Sequence, residues 1–279
     1  MGTLTIGPPP PSDLEVILSR QQVEHFAENG YLVVERITTD EELEWLTRLY
    51  EHIFAPENAH EPGAPVARSD DGLDGAAAGI GQAFFPEMVY PELLRTTYNR
   101  NARRCAAALL GVEVEQVTCW GHMIRKLPGG REAPWHQDEA YWEPELDYRA
   151  VGCWLPLHEV TEEMGAMQFV PGSHKGDVFH HEPRDGEVAL HLLEAEADTA
   201  GAVACPLPAG GATFHHSRTL HFTAPNTTDR PRLAFPTEFE VRPVFRDAPA
   251  SMPWVDAYRA VSGGTAPTHY VADGRFVQL

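Results

Sequence analysis

The sequence predicts a mainly β domain, a sandwich or barrel, with helices flanking its N-terminal side. Three observations predict it. From Val117 onward, short apolar segments alternate and are broken by Gly and Pro, at the ~8–12-residue spacing of turn signals in a sandwich or barrel. Ahead of them, residues 19–50 and 91–110 carry helix signals. The 279-residue chain is 43% hydrophobic and 22% charged, a globular composition that fits one large domain.

Residues 1–18, with Pro8 to Pro11, read as a flexible leader, and residues 19–279 as a single domain. Ser19 is a plausible N-cap for a helix through Phe26, which Asn29-Gly30 stops before a strand over 31–37. Thr39 and Glu42 have capping-box spacing, and Leu43, Leu46, Leu49 and Tyr50 fall on one helical face. Residues 55–85 are rich in Pro, Ala, Gly and Asp without a period, so they are expected as a mobile lid or a disordered loop. A helix is expected over 91–110, ended by Gly111. Strands are expected over 117–127, 150–160, 166–170, 201–206, 212–216 and 233–241.

The net charge is −20, from 41 acidic and 21 basic residues. Without a basic stretch, such a chain is a poor partner for nucleic acid or an anionic membrane. No apolar run approaches the ~20 residues of a membrane helix. The first residues lack a basic and an apolar region, so a cytoplasmic location is expected. Cys105, Cys119, Cys153 and Cys205 form no CxxC pair, which fits free thiols in a reducing compartment. The common phosphate-loop and serine-hydrolase signatures are missing.

Two stretches carry chemistry. In Trp135-His136-Gln137-Asp138, the His and Asp are two apart, so on a strand they share a face and can converge on one cation. A second, distant histidine would complete two His and one carboxylate, the set that leaves open positions on Fe(II). A surface histidine beside a solvated aspartate would give the same triplet. The second stretch runs from His221 through Thr223 to Arg232. If the chain turns at Pro225-Asn226 and returns as the next strand, Arg232 lies beside His221. A buried guanidinium there suits a carboxylate. A core histidine and a surface ion pair are the plain alternatives.

Taken together, four motifs resemble the phytanoyl-CoA dioxygenase-like Fe(II)/2-oxoglutarate oxygenases, over about residues 21–241. They are Phe26 to Val34 around Gly30-Tyr31; Lys126, Pro128-Gly129 and Trp135-His136-Gln137-Asp138; Gly165 to Pro171-Gly172-Ser173-His174; and His221, Thr223 and Arg232. The resemblance implies a double-stranded β-helix, a cupin-like jelly roll, with N-terminal helices packed on one sheet. It implies that His136, Asp138 and His221 ligate Fe(II) and act in catalysis. Arg232, helped by Thr223, would hold the distal carboxylate of 2-oxoglutarate, and Lys126, Met123 and Trp154 would line the same pocket. The implied reaction consumes O2 and 2-oxoglutarate, releases succinate and CO2, and hydroxylates an unactivated C–H bond of a small molecule. Bacterial secondary metabolism is one field for that substrate. Halogenating relatives lack the carboxylate that Asp138 supplies, which argues for hydroxylation; desaturation, cyclisation and epimerisation stay open. So do a cupin-type metalloenzyme without 2-oxoglutarate and a non-catalytic jelly-roll module, as a monomer or homodimer.

Adjacent residues on a strand face opposite ways. Gln137 is therefore not counted as a ligand, and neither His180-His181 nor His215-His216 can easily chelate one metal; one member of each pair can still line the site, with a surface or core role the plainer reading. Trp135, Tyr141, Trp142 and Trp154 suit core packing or a substrate wall. Glu139, Glu143, Glu145 and Asp147 make the loop after Asp138 acidic. If it rims the mouth, it disfavours anionic substrates such as acyl-CoA thioesters.

Overall fold

The computed structural model describes residues 7–55, 67–69, 80–184, 193–261, 269–271 and 275–277. Strands β1 (Tyr31–Val34), β2 (Ala67–Ser69), β3 (Ile80–Phe84), β4 (Val117–Lys126), β5 (Ala133–His136), β6 (Leu146–Pro156) and β7 (Met167–Phe169) are followed by β8 (His181–Pro183), β9 (Leu193–Ala195), β10 (Val203–Cys205), β11 (Ala212–His216), β12 (His221–Thr223) and β13 (Arg232–Phe245). Short β14 (His269–Val271) and β15 (Arg275–Val277) pair with each other.

A seven-stranded sheet has the order β1-β11-β6-β13-β4-β3-β2, and a four-stranded sheet the order β10-β7-β12-β5. The chain alternates between them, as a double-stranded β-helix requires. Helices α1 (Arg20–Asn29), α2 (Asp40–Ile53) and α3 (Thr97–Leu110) precede most of the strands, and α4 (Pro253–Val261) follows them.

Strand alternation divides the large sheet into two faces. Cys119 and Met123 of β4, Val151, Cys153 and Leu155 of β6, Ala212 and Phe214 of β11, and Phe235 and Phe239 of β13 share one core with Leu46 and Leu49 of α2 and Ala102 and Cys105 of α3. Each fully buried large side chain of that core contributes about 1.5–3 kcal/mol. The other face turns toward the small sheet, where Trp154 and Ala234 pack with Met167 and Phe169. The site lies on this inner face.

The helices start where their caps dictate. Ser19 makes the reciprocal capping box with Gln22, and Gly30 (φ 79°) ends α1. Thr39 caps α2 through the Glu42 amide at 3.2 Å, but Glu42 does not reach back. Its carboxylate accepts from the Thr97 and Tyr98 amides, both at 2.7 Å, and so neutralises the start of α3. The helix expected over 91–110 is therefore split. Residues 91–95 form a 3₁₀ turn, and α3 begins behind its own cap, Thr96. The proline-rich start, expected as flexible, runs without helix or strand from residue 7. It is tied to α3 by Arg100 and Asn101, which both donate to Leu14 O at 3.0 Å. Of the stretch 55–85, residues 67–69 and 80–84 are β2 and β3 of the large sheet; residues 56–66 and 70–79 lie outside the described residues.

Candidate active site

His136 ends β5 and His221 opens β12, where they are direct cross-strand partners in the small sheet. Their ring centroids are 4.1 Å apart. Asp138 begins a 3₁₀ turn just past the strand. One ligand atom from each of the three lies within 4.8 Å of the others. His136 Nδ1 is 2.6 Å from Pro134 O, and His221 Nδ1 is 2.9 Å from Thr219 O. A carbonyl at Nδ1 demands N–H there, so each Nε2 keeps its lone pair for a cation. Burial lowers the pKa of both histidines, so they stay neutral ligands near pH 7. Burial alone would raise Asp138, but His221, His215 and His136 around it hold its carboxyl below the ordinary value.

The turn carrying these residues is clamped from outside. Gln137 points away from the cluster, with its side chain donating to Arg218 O at 2.6 Å and accepting from the Phe179 amide at 2.7 Å. His181 Nε2 accepts from the Gln137 amide at 3.2 Å. Glu139 is 1% exposed and meets Arg246 at 2.9 Å and Arg218 at 3.3 Å. The acidic loop is thus not a free negative rim. Glu145 pairs with Arg259 and Asp147 with Arg246, while Glu143 is buried. These arginines come from distant segments, so spacing along the loop could not reveal them, and the case against anionic substrates drawn from this loop falls.

The glycine and Pro-Gly-Ser-His motifs hold the His221 end. A Cβ on Gly30 would lie 2.4 Å from His174 Nδ1 and 2.5 Å from Thr219 Oγ1, so no other residue fits. Thr219 Oγ1 donates to Gly30 O at 2.7 Å. Ser173 Oγ accepts from the Leu220 amide at 2.8 Å. His174 is part of this anchor, with Nε2 3.2 Å from Ala27 O.

Arg232 opens β13 in the large sheet, paired with Lys126 of β4. It is therefore not the strand neighbour of His221, as the return-strand expectation had it. The chain crosses to the other sheet between them, and it is Lys126, the strand partner of Arg232, that reaches Thr223 of β12 across the roll. Arg232 is 2% exposed and Lys126 1%. Arg232 donates to Gly165 O at 2.9 Å, and its guanidinium lies 5.2 Å from the Trp154 ring centroid. Lys126 Nζ donates to Thr223 Oγ1 at 2.9 Å and Ala224 O at 2.8 Å. Burial, then the Arg232 charge, brings the Lys126 pKa down to about 6; burial brings Arg232 to about 10. Arg232 Nε has no hydrogen-bond partner among the described residues.

Met123 is a correction. It is three residues from Lys126, an odd spacing that puts it on the opposite face of β4. It packs in the core beneath the helices, away from the Arg232 pocket. Of the pair His215-His216, it is His215 that lines the site. Its Nε2 lies 3.0 Å from Asp138 Oδ2, which leaves Oδ1 toward His136 and His221. The residue that makes room is Gly152, where a Cβ would lie 2.6 Å from His215 Nε2. The one available signal was parity: His215 and Thr213 fall on the face opposite to Phe214.

Two neutral imidazoles and an ionised carboxylate match the 2-His-1-carboxylate set for Fe(II). A buried guanidinium and a buried amine, neither in a salt bridge among the described residues, match an anionic co-substrate. Fold and site together define a cupin-type Fe(II)/2-oxoglutarate oxygenase. The chain belongs to the phytanoyl-CoA dioxygenase (PhyH) family, whose model matches residues 26–234; Fe(II), 2-oxoglutarate and O2 serve as its cofactor and co-substrates. Among solved structures, EvdO2 of Micromonospora carbonacea var. aurantiaca, complexed with 2-oxoglutarate, is 32% identical with a TM-score of 0.75, covering 87% of this chain and 99% of that one. An ectoine dioxygenase of Bordetella parapertussis is 27% identical over 77% of this chain and 73% of its own. A probable alpha-ketoglutarate-dependent hypophosphite dioxygenase of Stutzerimonas stutzeri is 37% identical over 36% of this chain and 37% of its own. No helix among the described residues is long and apolar enough to cross a membrane.

Proposed function

We propose that the chain hydroxylates an unactivated C–H bond of a small molecule, with His136, Asp138 and His221 holding the iron. In this reading Arg232, with Lys126, Thr223 and Trp154 around it, holds the far carboxylate of 2-oxoglutarate. The observation that carries it is the convergence of Asp138 with the two histidines. Where a carboxylate fills that position, no ligand place is left there for a halide. Bound iron supplies the oxidising power from O2 and 2-oxoglutarate. The protein supplies the rest. Pro134 and Thr219 carbonyls fix the two imidazoles, and His215 orients Asp138. Arg232 and Lys126 bind and orient the dianion, and Phe169 and Trp154, both buried, exclude water. Relatives named for ectoine and hypophosphite support a small substrate.

The test is reconstitution with Fe(II) and 2-oxoglutarate under O2, following succinate. Slow succinate release without substrate, lost in His136→Ala and Asp138→Ala, supports the reading. Incorporation of one ¹⁸O atom from ¹⁸O2 into an added substrate supports hydroxylation. A protein that neither binds 2-oxoglutarate nor forms succinate refutes it, and leaves a metalloenzyme without 2-oxoglutarate or a binding module.

A further inference from the structure

The inner face of the large sheet continues past the metal cluster, away from Arg232. Glu238 lies six positions along β13 from Arg232, roughly 20 Å at the rise of a strand. Trp120 of β4 is its direct cross-strand partner, and His122, two residues further, shares that face. On the other side Glu238 pairs with Gly152, and Gly152 with His215. A side chain at Gly152 would strike Glu238 Oε1 at 2.8 Å. Ligand atoms of Glu238, His215 and Asp138 lie within 4.8 Å of one another. The row Trp120-Glu238-Gly152-His215 thus runs directly beneath Asp138.

This row carries polar atoms with nothing to bind. Trp120 Nε1, His122 Nε2 and Glu238 Oε2 are all buried and have no hydrogen-bond partner among the described residues. A buried polar atom left without a partner is costly, and several in one place call for an explanation, of which a ligand that completes them is one. Their side chains are half-buried, so they border a cleft rather than a closed core. Its aromatic wall is Phe84, stacked on His122 at 4.0 Å, and Phe85, 5.5 Å from Trp120. Phe85 is held in the left-handed region at φ 55°, a conformation that a bulky residue keeps only under constraint.

We infer that Trp120, His122 and Glu238 form the substrate subsite, and that it takes a neutral substrate bearing hydroxyl groups. This rests on the proposed function, because 2-oxoglutarate must then fill the Arg232 side of the metal and leave the Glu238 side open. The indole N–H can only donate, and the carboxyl of Glu238 can accept in either protonation state. A hydroxyl group satisfies both at once. The charge of Asp138, whose ligand atom lies within 4.8 Å of Glu238, and the absence of an unpaired cation in this row disfavour an anion.

Two ring probes of like size test it, trans-cyclohexane-1,2-diol and cyclohexanecarboxylate. Each is added to protein loaded with Mn(II) and 2-oxoglutarate, and the proton relaxation of the probe reports its residence beside the metal. The diol is expected to relax faster and the carboxylate to be unaffected. Trp120→Phe, which removes one donor and keeps a ring, and Glu238→Met should each weaken diol binding about five- to tenfold. Binding of Mn(II) and of 2-oxoglutarate should stay unchanged. Should Glu238→Met fail to fold, Trp120→Phe decides alone. The inference is overturned if the carboxylate binds better, if the diol does not bind, or if both variants bind it as the wild type does. Release of Mn(II) by Glu238→Met also overturns it, making Glu238 a metal ligand with Asp138 and His215. Loss of 2-oxoglutarate binding by the wild type would instead count against the proposed function.

Discussion

Arg232→Met separates what the buried cation costs from what it does. Burial pulls the Arg232 pKa from 12.5 to about 10. At ~1.4 kcal/mol per unit, keeping the charge there costs roughly 3 kcal/mol. The charged hydrogen bond to Gly165 O returns about 1.5–3 kcal/mol, and the face of Trp154 about 0.5–2 kcal/mol. These nearly cancel, so a methionine of similar reach should leave the stability of the ligand-free protein within about 1.5 kcal/mol. The 2-oxoglutarate complex responds differently. Losing one partner of a buried, hydrogen-bonded charge pair costs about 2–5 kcal/mol, which is roughly 30-fold to several-thousand-fold in Kd. Calorimetric titration of 2-oxoglutarate into Zn(II)-loaded protein, beside urea unfolding of the apo form, measures both. A variant that loses more than about 3 kcal/mol of stability yet binds 2-oxoglutarate normally would show Arg232 to be a structural residue.

Three further outcomes follow from named contacts. Lys126 sits near pKa 6 without ligand, and a bound dianion must raise that value. Binding of 2-oxoglutarate should therefore take up a proton and weaken as pH rises from about 6 to 8, by up to about tenfold per unit. Lys126→Met should bind about tenfold more weakly at pH 6 and lose the slope, as titrations in buffers of different ionisation enthalpy would reveal. Gly165 has φ 81° and would place a Cβ 2.3 Å from Ala224 O; Gly165→Ala should cost about 2–4 kcal/mol of stability and, by moving the carbonyl that Arg232 uses, weaken 2-oxoglutarate binding, while an unchanged melting temperature would contradict the geometry. His181, fully buried with its pKa lowered to about 4 by burial, is protonated in the unfolded chain below ~6.5 but not in the folded one, so its contribution is lost as pH falls from ~6.5 to 4. The upper bound is about 3 kcal/mol, and urea unfolding of the wild type against His181→Gln at pH 7 and 4.5 should show the variant with the flatter dependence.

Local signals and the order of the motifs were enough for the architecture. The Ser19 and Thr39 caps, Gly30 and Gly111, and the alternation in β4, β6, β11 and β13 are all written within a few residues of the place where they act. What the sequence hid was set by distant partners. Glu42 looked like a capping-box member because its spacing is right, yet it caps α3 from α2. Arg218, Arg246 and Arg259 neutralise the loop after Asp138 from far along the chain. Strands β5 and β12, which carry His136 and His221, are only 4 and 3 residues long, too short to display a period.

Strand parity places both Met123 and His215. The family pattern supplied Met123 as a pocket residue without regard to which side of β4 it faces. Parity answers that from sequence alone: if Lys126 faces the pocket, so do Ile124, His122 and Trp120, and Met123 does not. The same count on β13 sends Arg232, Ala234, Pro236, Glu238 and Glu240 inward, and on β11 it selects Thr213 and His215. Every unpartnered inner-face atom invoked above lies on one of those sets. A motif matched residue by residue places the His136, Asp138, His221 and Arg232 end of the roll. Strand parity, carried from one fixed residue across the register, places the Trp120, His122 and Glu238 end, which no motif marks and which we infer to be the substrate end.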